Sequence, residues 1–183
     1  LRASSKGRVG SHAFLRRFPR PTPIDMKKIE ITLDTYDALA SLNESDQGLV
    51  RAAIQRLGSG HAPYSNFHVS AACRTEDGQI WIGTNQENAS FPVGICAERV
   101  ALSVANMQAP GQSVLEMAIV YRDPSHRHHE PLAPCGMCRQ ALSEQSQRQN
   151  SPVRLLLANE KGATWVCADA NALLPLSFSL KDL

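Results

Sequence analysis

Two short cysteine motifs constrain this chain more than any other feature: Cys96-Ala97-Glu98 and Pro134-Cys135-Gly136-Met137-Cys138. Cys135 and Cys138 are three apart, a spacing at which side chains on the first turn of a helix point the same way and share one ion. Cys96 supplies a third sulfur. Three thiolates leave a tetrahedral zinc one ligand short, and a catalytic zinc site keeps that open position for water. Glu98, two residues beyond Cys96, is not needed as a ligand and is placed to handle that water's proton. A fold that serves this chemistry must bring position 96 and positions 135–138 together.

Both motifs fall where a loop or strand enters a helix. Two helix N-termini would then aim partial positive charge and unpaired N–H groups at the sulfurs, which favours the thiolate form. Three thiolates on one divalent cation leave a net negative charge and a weaker Lewis acid. Arg99, directly after Glu98, is the candidate to offset it through hydrogen bonds to the sulfurs. Two other uses of Cys-x-x-Cys stand beside this reading. A thioredoxin-like redox pair also sits at a helix start, but it leaves Cys96-Ala97-Glu98 without a role. A structural zinc ribbon needs a second cysteine pair.

The chain has 183 residues, enough for one domain with a real core and too few for two comfortable ones. A hydrophobic fraction of 43% and a charged fraction of 20% are those of a globular protein. Net charge is +2 but unevenly placed. Residues 1–25 carry six basic residues against Asp25 alone, and beyond them the balance is 13 basic to 16 acidic. A mildly acidic body argues against nucleic-acid binding. Residues 1–25 are rich in Arg, Ser, Gly and Pro without apolar periodicity. They are read as a non-domain leader, with an organelle-targeting peptide or a nucleic-acid-binding arm as alternatives, and residues 26–183 as the single domain. No apolar stretch of membrane-spanning length occurs, so the expectation is a cytoplasmic protein with no membrane partner. Five cysteines, an odd count, argue against a disulfide framework. Cys73 and Cys167 lie in apolar runs and are expected as buried free thiols.

Apolar periodicity predicts helices over 47–57, 97–107 and 135–147, and strands over 67–74, 79–84, 114–122, 153–158 and 163–168, with a last helical turn over 169–174. Strands interleaved with helices imply an α/β fold with its sheet covered on both faces. Asn85 and Glu87, two apart on an extended segment, point to the same side. The histidine-rich stretch 123–134 reads as a surface loop, with a second metal site at His126, His128 and His129 as the sharper alternative.

With these residues in view the chain strongly resembles the cytidine deaminase family. The resemblance runs through Pro63-Tyr64-Ser65-Asn66-Phe67-His68-Val69, Gly83-Thr84-Asn85-Gln86-Glu87-Asn88-Ala89-Ser90, Gly94-Ile95-Cys96-Ala97-Glu98-Arg99, Pro134–Gln140 and the tail Leu173–Phe178 with Lys181-Asp182-Leu183. It implies a three-layer α/β/α fold with a five-stranded mixed sheet, and one Zn2+ per subunit on Cys96, Cys135 and Cys138. Glu98 would be the catalytic proton shuttle. Asn85 and Glu87 would bind the ribose, chiefly its 3′-hydroxyl, and Phe67 would pack on the pyrimidine. The Ala97 N–H would meet O2 of the base, and the Ala133 carbonyl would receive the departing ammonia. Phe178 would reach the base in a neighbouring subunit's site. Cysteine rather than histidine at position 96 resembles the branch that assembles as homotetramers. Ala133, Gln86 and Phe91 depart from the commoner residues at their positions, and none removes a catalytic group. The implied reaction is zinc-dependent deamination of cytidine and 2′-deoxycytidine in pyrimidine salvage. Alternatives are a deaminase of a related aminopyrimidine nucleoside or nucleoside antibiotic, a polynucleotide deaminase, and a catalytically silent zinc-binding partner protein.

Overall fold

A computed structural model describes residues 25, 27–124 and 129–179. The leader expected over 1–25 and the terminal Lys181-Asp182-Leu183 therefore lie outside the described residues, Asp25 excepted, as do His126 and His128. Three α-helices, α1 (Glu44–Ile54), α2 (Ala97–Gln108) and α3 (Gly136–Gln149), pack on a sheet of six strands: β1 (Asp34–Tyr36), β2 (His68–Thr75), β3 (Ile80–Thr84), β4 (Val114–Arg122), β5 (Arg154–Asn159) and β6 (Thr164–Cys167). The strand order is β1-β6-β5-β4-β2-β3, with β4 and β5 parallel and every other pair antiparallel. A parallel pair needs a crossover of a dozen residues or more, and α3 is that crossover.

The sheet has six strands where the resemblance implies five. The addition is β1, a three-residue edge strand antiparallel to β6. Asp34-Thr35-Tyr36 is too short to show a period-two signature, and it is a strand only because β6 offers it a partner.

Alternation along the strands sorts side chains into two cores. On one face Ala72, Ala118, Val120, Leu156 and Ala158 meet Leu49, Val50 and Ala53 of α1. On the other, Ala71, Cys73, Met117, Ile119, Leu155 and Leu157 meet Ala97, Ala101, Leu102 and Ala105 of α2 and Leu142 of α3. Leu49, Leu142, Leu155, Leu156 and Leu157 are fully buried, each contributing about 2 kcal/mol of apolar burial. Small residues on the inner stripe of α2 let it lie close to the sheet. The closest approach is at Gly83 in β3, where an added Cβ would stand 2.3 Å from the Ala101 nitrogen and 2.4 Å from the Ala97 oxygen. Gly83 thus fixes the height of α2, and with it Cys96 and Glu98, above the sheet.

α1 starts at Glu44, three residues before its expected start. Asn43 caps it, accepting the Asp46 N–H at 2.9 Å. Asp46 in turn takes a two-toothed contact from Arg154, at 2.6 and 2.7 Å. Arg154 also donates to Glu116 at 2.9 Å, and Arg74 pairs with the other Glu116 oxygen. Arg74, Glu116 and Arg154 sit side by side on β2, β4 and β5. Alternating charge across three strands, closed by Asp46, ties α1 to the far end of the sheet. Hydrogen bonding from Arg154 holds the Asp46 carboxyl below its ordinary range.

Candidate active site

Cys96 and Cys135 are the N-cap residues of α2 and α3, both with extended backbone. Two helix N-termini on one face of the sheet therefore converge on the sulfurs. Cys96 Sγ lies 3.7 Å from Cys135 Sγ, which lies 3.5 Å from Cys138 Sγ. All three sulfurs fall within 4.8 Å of one another. Tetrahedral thiolate ligands at ~2.3 Å from zinc stand roughly 3.8 Å apart. The cluster thus fits one zinc ion with a fourth position open, and a fourth protein donor is absent from the cluster among the described residues. The hydrogen bond with Cys138 lowers the Cys96 thiol to about 6, and the same contact raises Cys138.

Glu98, in the first turn of α2, is only 5% exposed. Burial pushes its carboxyl above the ordinary range. It lines a cleft of about 680 Å³ together with Cys96, Cys135, Phe67, Asn85, Glu87 and Ala133. Ala97 opens α2, so its N–H belongs to the first-turn amides that have no intrahelical partner. Arg99 lines a separate, smaller groove of about 220 Å³ between α2 and α3. Its positive charge also lowers the Cys96 thiol, as a smaller contribution than the cysteine contacts. Phe178 is 60% exposed, and its carbonyl accepts from Gln140 at 3.4 Å. The cleft of its own chain is lined by other residues.

Residues 85–87 leave β3 as an extended segment. Gln86 exchanges two backbone hydrogen bonds with Ile95, and the Glu87 N–H donates to the His61 carbonyl. Asn85 and Glu87 consequently face the cleft together, as their spacing predicts. Both side chains also hold the loop ahead of β2. The Asn85 amide accepts from the Val69 N–H and donates to the Phe67 carbonyl, each at 2.9 Å. The Glu87 carboxylate accepts from the Ser65 hydroxyl, from the Tyr64 N–H at 2.9 Å and from the Ser65 N–H at 3.3 Å. These bonds, that from the Ser65 hydroxyl foremost, lower its pKa.

Sequence reasoning missed Tyr121. It lies in the apolar run of β4, where nothing marks it as facing a cleft. Its ring stacks on Phe67 at 5.5 Å between centroids and 12° between planes. Its hydroxyl donates to the Glu130 carbonyl at 2.5 Å, which steadies the segment leading to Ala133. Arg139 steadies the same segment from α3, donating to the Pro134 carbonyl at 2.8 Å and to the Leu173 carbonyl at 2.9 Å. Cys73 and Cys167 are buried free thiols as expected, and burial pushes Cys73 up to about 12.

Residues 43–151 match the family model described as the cytidine and deoxycytidylate deaminase zinc-binding region. A cytidine deaminase of Halalkalibacterium halodurans is 34% identical over 137 residues, spanning 75% of this chain and 96% of that protein. One from Sporosarcina psychrophila is 37% identical over 123 residues, spanning 67% and 83%. The crystal structure of a cytidine deaminase from Burkholderia pseudomallei superposes with a TM-score of 0.63 at 38% identity, covering 72% of this chain and 97% of that one. With the three-sulfur cluster, the buried carboxylate and these likenesses together, the chain belongs to the cytidine and deoxycytidylate deaminase family.

Proposed function

We propose that this protein hydrolytically deaminates cytidine and 2′-deoxycytidine, consuming water and releasing uridine or 2′-deoxyuridine and ammonia. The observation that carries this reading is that Cys96 and Cys135 of the three-sulfur cluster, the buried Glu98 and the paired Asn85 and Glu87 line one cleft. A zinc ion held by Cys96, Cys135 and Cys138 supplies Lewis acidity, making water a competent nucleophile near neutral pH. Glu98 takes the proton released from that water and delivers it to N3 of the base. The water oxygen bonds to C4, and Glu98 moves the proton remaining on that oxygen to the amino group, whose bond to C4 breaks to release ammonia and leave the C4 carbonyl.

The Ala97 N–H donates to O2 of the base, and the Ala133 carbonyl accepts from the departing amine. Phe67, steadied by Tyr121, packs on the pyrimidine. Asn85 retains one amide hydrogen and one lone pair beyond its bonds to the loop, and Glu87 retains one acceptor position. Together they engage one sugar hydroxyl, the 3′, so ribose and deoxyribose are both accepted.

The assembly is a homotetramer in which Phe178 faces the cleft of a neighbouring subunit. Its exposure, and that of Leu176 at 94%, support a role outside its own chain. Residues 26–183 act as the single deaminase domain. The reaction belongs to salvage of free pyrimidine nucleosides, for which the cytoplasm is the fitting compartment. Among the described residues no helix is long and apolar enough to cross a membrane. Ultraviolet monitoring with cytidine, 2′-deoxycytidine and cytosine in parallel tests this reading. Turnover of both nucleosides and not of free cytosine is expected, and turnover of cytosine alone would overturn the sugar-binding argument.

A further inference from the structure

Ser65 lies in the exposed loop ahead of β2, at the cleft, where it holds the Glu87 carboxylate. The hydroxyl donates to Glu87 Oε1 and accepts the Phe67 N–H at 3.0 Å. The neighbouring amides of Tyr64 and Ser65 both donate to Glu87 Oε2. An ionised carboxylate offers about four acceptor positions over its two oxygens. The loop occupies three, and the last lies on the oxygen that the Ser65 hydroxyl holds. Tyr64, next to Ser65, sets its ring edge-on to Phe91 at 6.3 Å, so the loop is fixed at the mouth of the cleft as well.

We propose that Ser65 is a positioning residue of the nucleoside site, whose hydroxyl orients the Glu87 carboxylate towards a single sugar hydroxyl. This rests on the reading of Glu87 as a sugar ligand. Because Ser65 is exposed, its replacement removes no core packing.

The test compares cytidine as substrate with 3′-deoxycytidine as a competitive ligand, in Ser65→Ala, Ser65→Thr and Glu87→Ala. Losing one hydrogen bond to a charged group in Ser65→Ala raises KM for cytidine about tenfold, with kcat within about twofold and the melting temperature unchanged. The inhibition constant of 3′-deoxycytidine rises by less than about threefold, since that ligand offers Glu87 nothing to lose. Ser65→Thr keeps the hydroxyl and restores the cytidine KM. Equal weakening of both ligands, or no change for cytidine, overturns the proposal. Glu87→Ala separates the two possible failures. If it weakens cytidine selectively while Ser65→Ala does not, Ser65 alone is misassigned. If Glu87→Ala leaves cytidine unaffected, the sugar-ligand reading falls and the proposal falls with it.

Discussion

Cys96 Sγ stands 3.7 Å from Cys135 Sγ, 39 positions further along the chain. That closeness follows from both residues capping helices that start on the same face of the sheet. α2 reaches its position because Gly83 lets it approach β3, and α3 reaches its own as the crossover between the parallel strands β4 and β5. Neither helix is placed by the metal ligands alone, so the pair is a product of the fold.

Cys138→Ala removes one of three sulfurs while its neighbours remain. Two thiolates hold zinc far less tightly than three, so elemental analysis of the purified variant should find zinc well below one equivalent. Full metal content in Cys138→Ala would contradict the ligand assignment.

Gly83→Ala places a methyl group against the backbone of α2 at distances that no side-chain rotation relieves. The helix must move outward, at a cost of about 1–3 kcal/mol in urea unfolding. Because Cys96 and Glu98 ride on that helix, kcat should fall along with stability. A variant of unchanged stability and activity would show that α2 is not seated by this contact.

Much of this was legible in the sequence, and the exceptions share a cause. β4 is predicted with its observed bounds because Val114–Arg122 is long and apolar but for Glu116 and the terminal Arg122. The helix starts at Cys96 and Cys135 follow from local chemistry, and so does the shared orientation of Asn85 and Glu87. β1 is not legible, because a three-residue strand is defined by its partner β6 and not by its own residues. Tyr121 is hidden in a buried strand, and its role depends on Phe67, which lies 54 positions away and meets it only across the β2–β4 pairing. The loop-holding bonds of Glu87 span 22 and 23 residues and leave no local trace. The early start of α1 did leave one: Asn43, three residues before Asp46, is an N-cap signal ahead of the apolar run.

Asp46→Asn should uncouple α1 from the charged ladder. Breaking a largely buried pair leaves Arg154 without its two-toothed partner, at roughly 2–4 kcal/mol. The pH dependence has a definite sign. The folded-state pKa of Asp46 lies below its ordinary value of 3.8, so its contribution is fully present above that value and is lost as pH falls through the lowered one. Acid unfolding curves of the wild type and Asp46→Asn should therefore differ near neutrality and converge once pH has fallen through the lowered value. A constant gap down to the lowest pH would show that the carboxylate charge is not what stabilises α1.

The central claim is that Glu98 moves the protons while three cysteines hold the zinc, and Glu98→Gln tests it most directly. Zinc content and turnover of cytidine should be measured on the same preparation. The account predicts about one zinc per chain, as in the wild type, with kcat lower by at least about a hundredfold. Near-normal turnover in zinc-loaded Glu98→Gln would contradict it, and loss of the zinc itself would mean that Glu98 serves the metal site and not the proton.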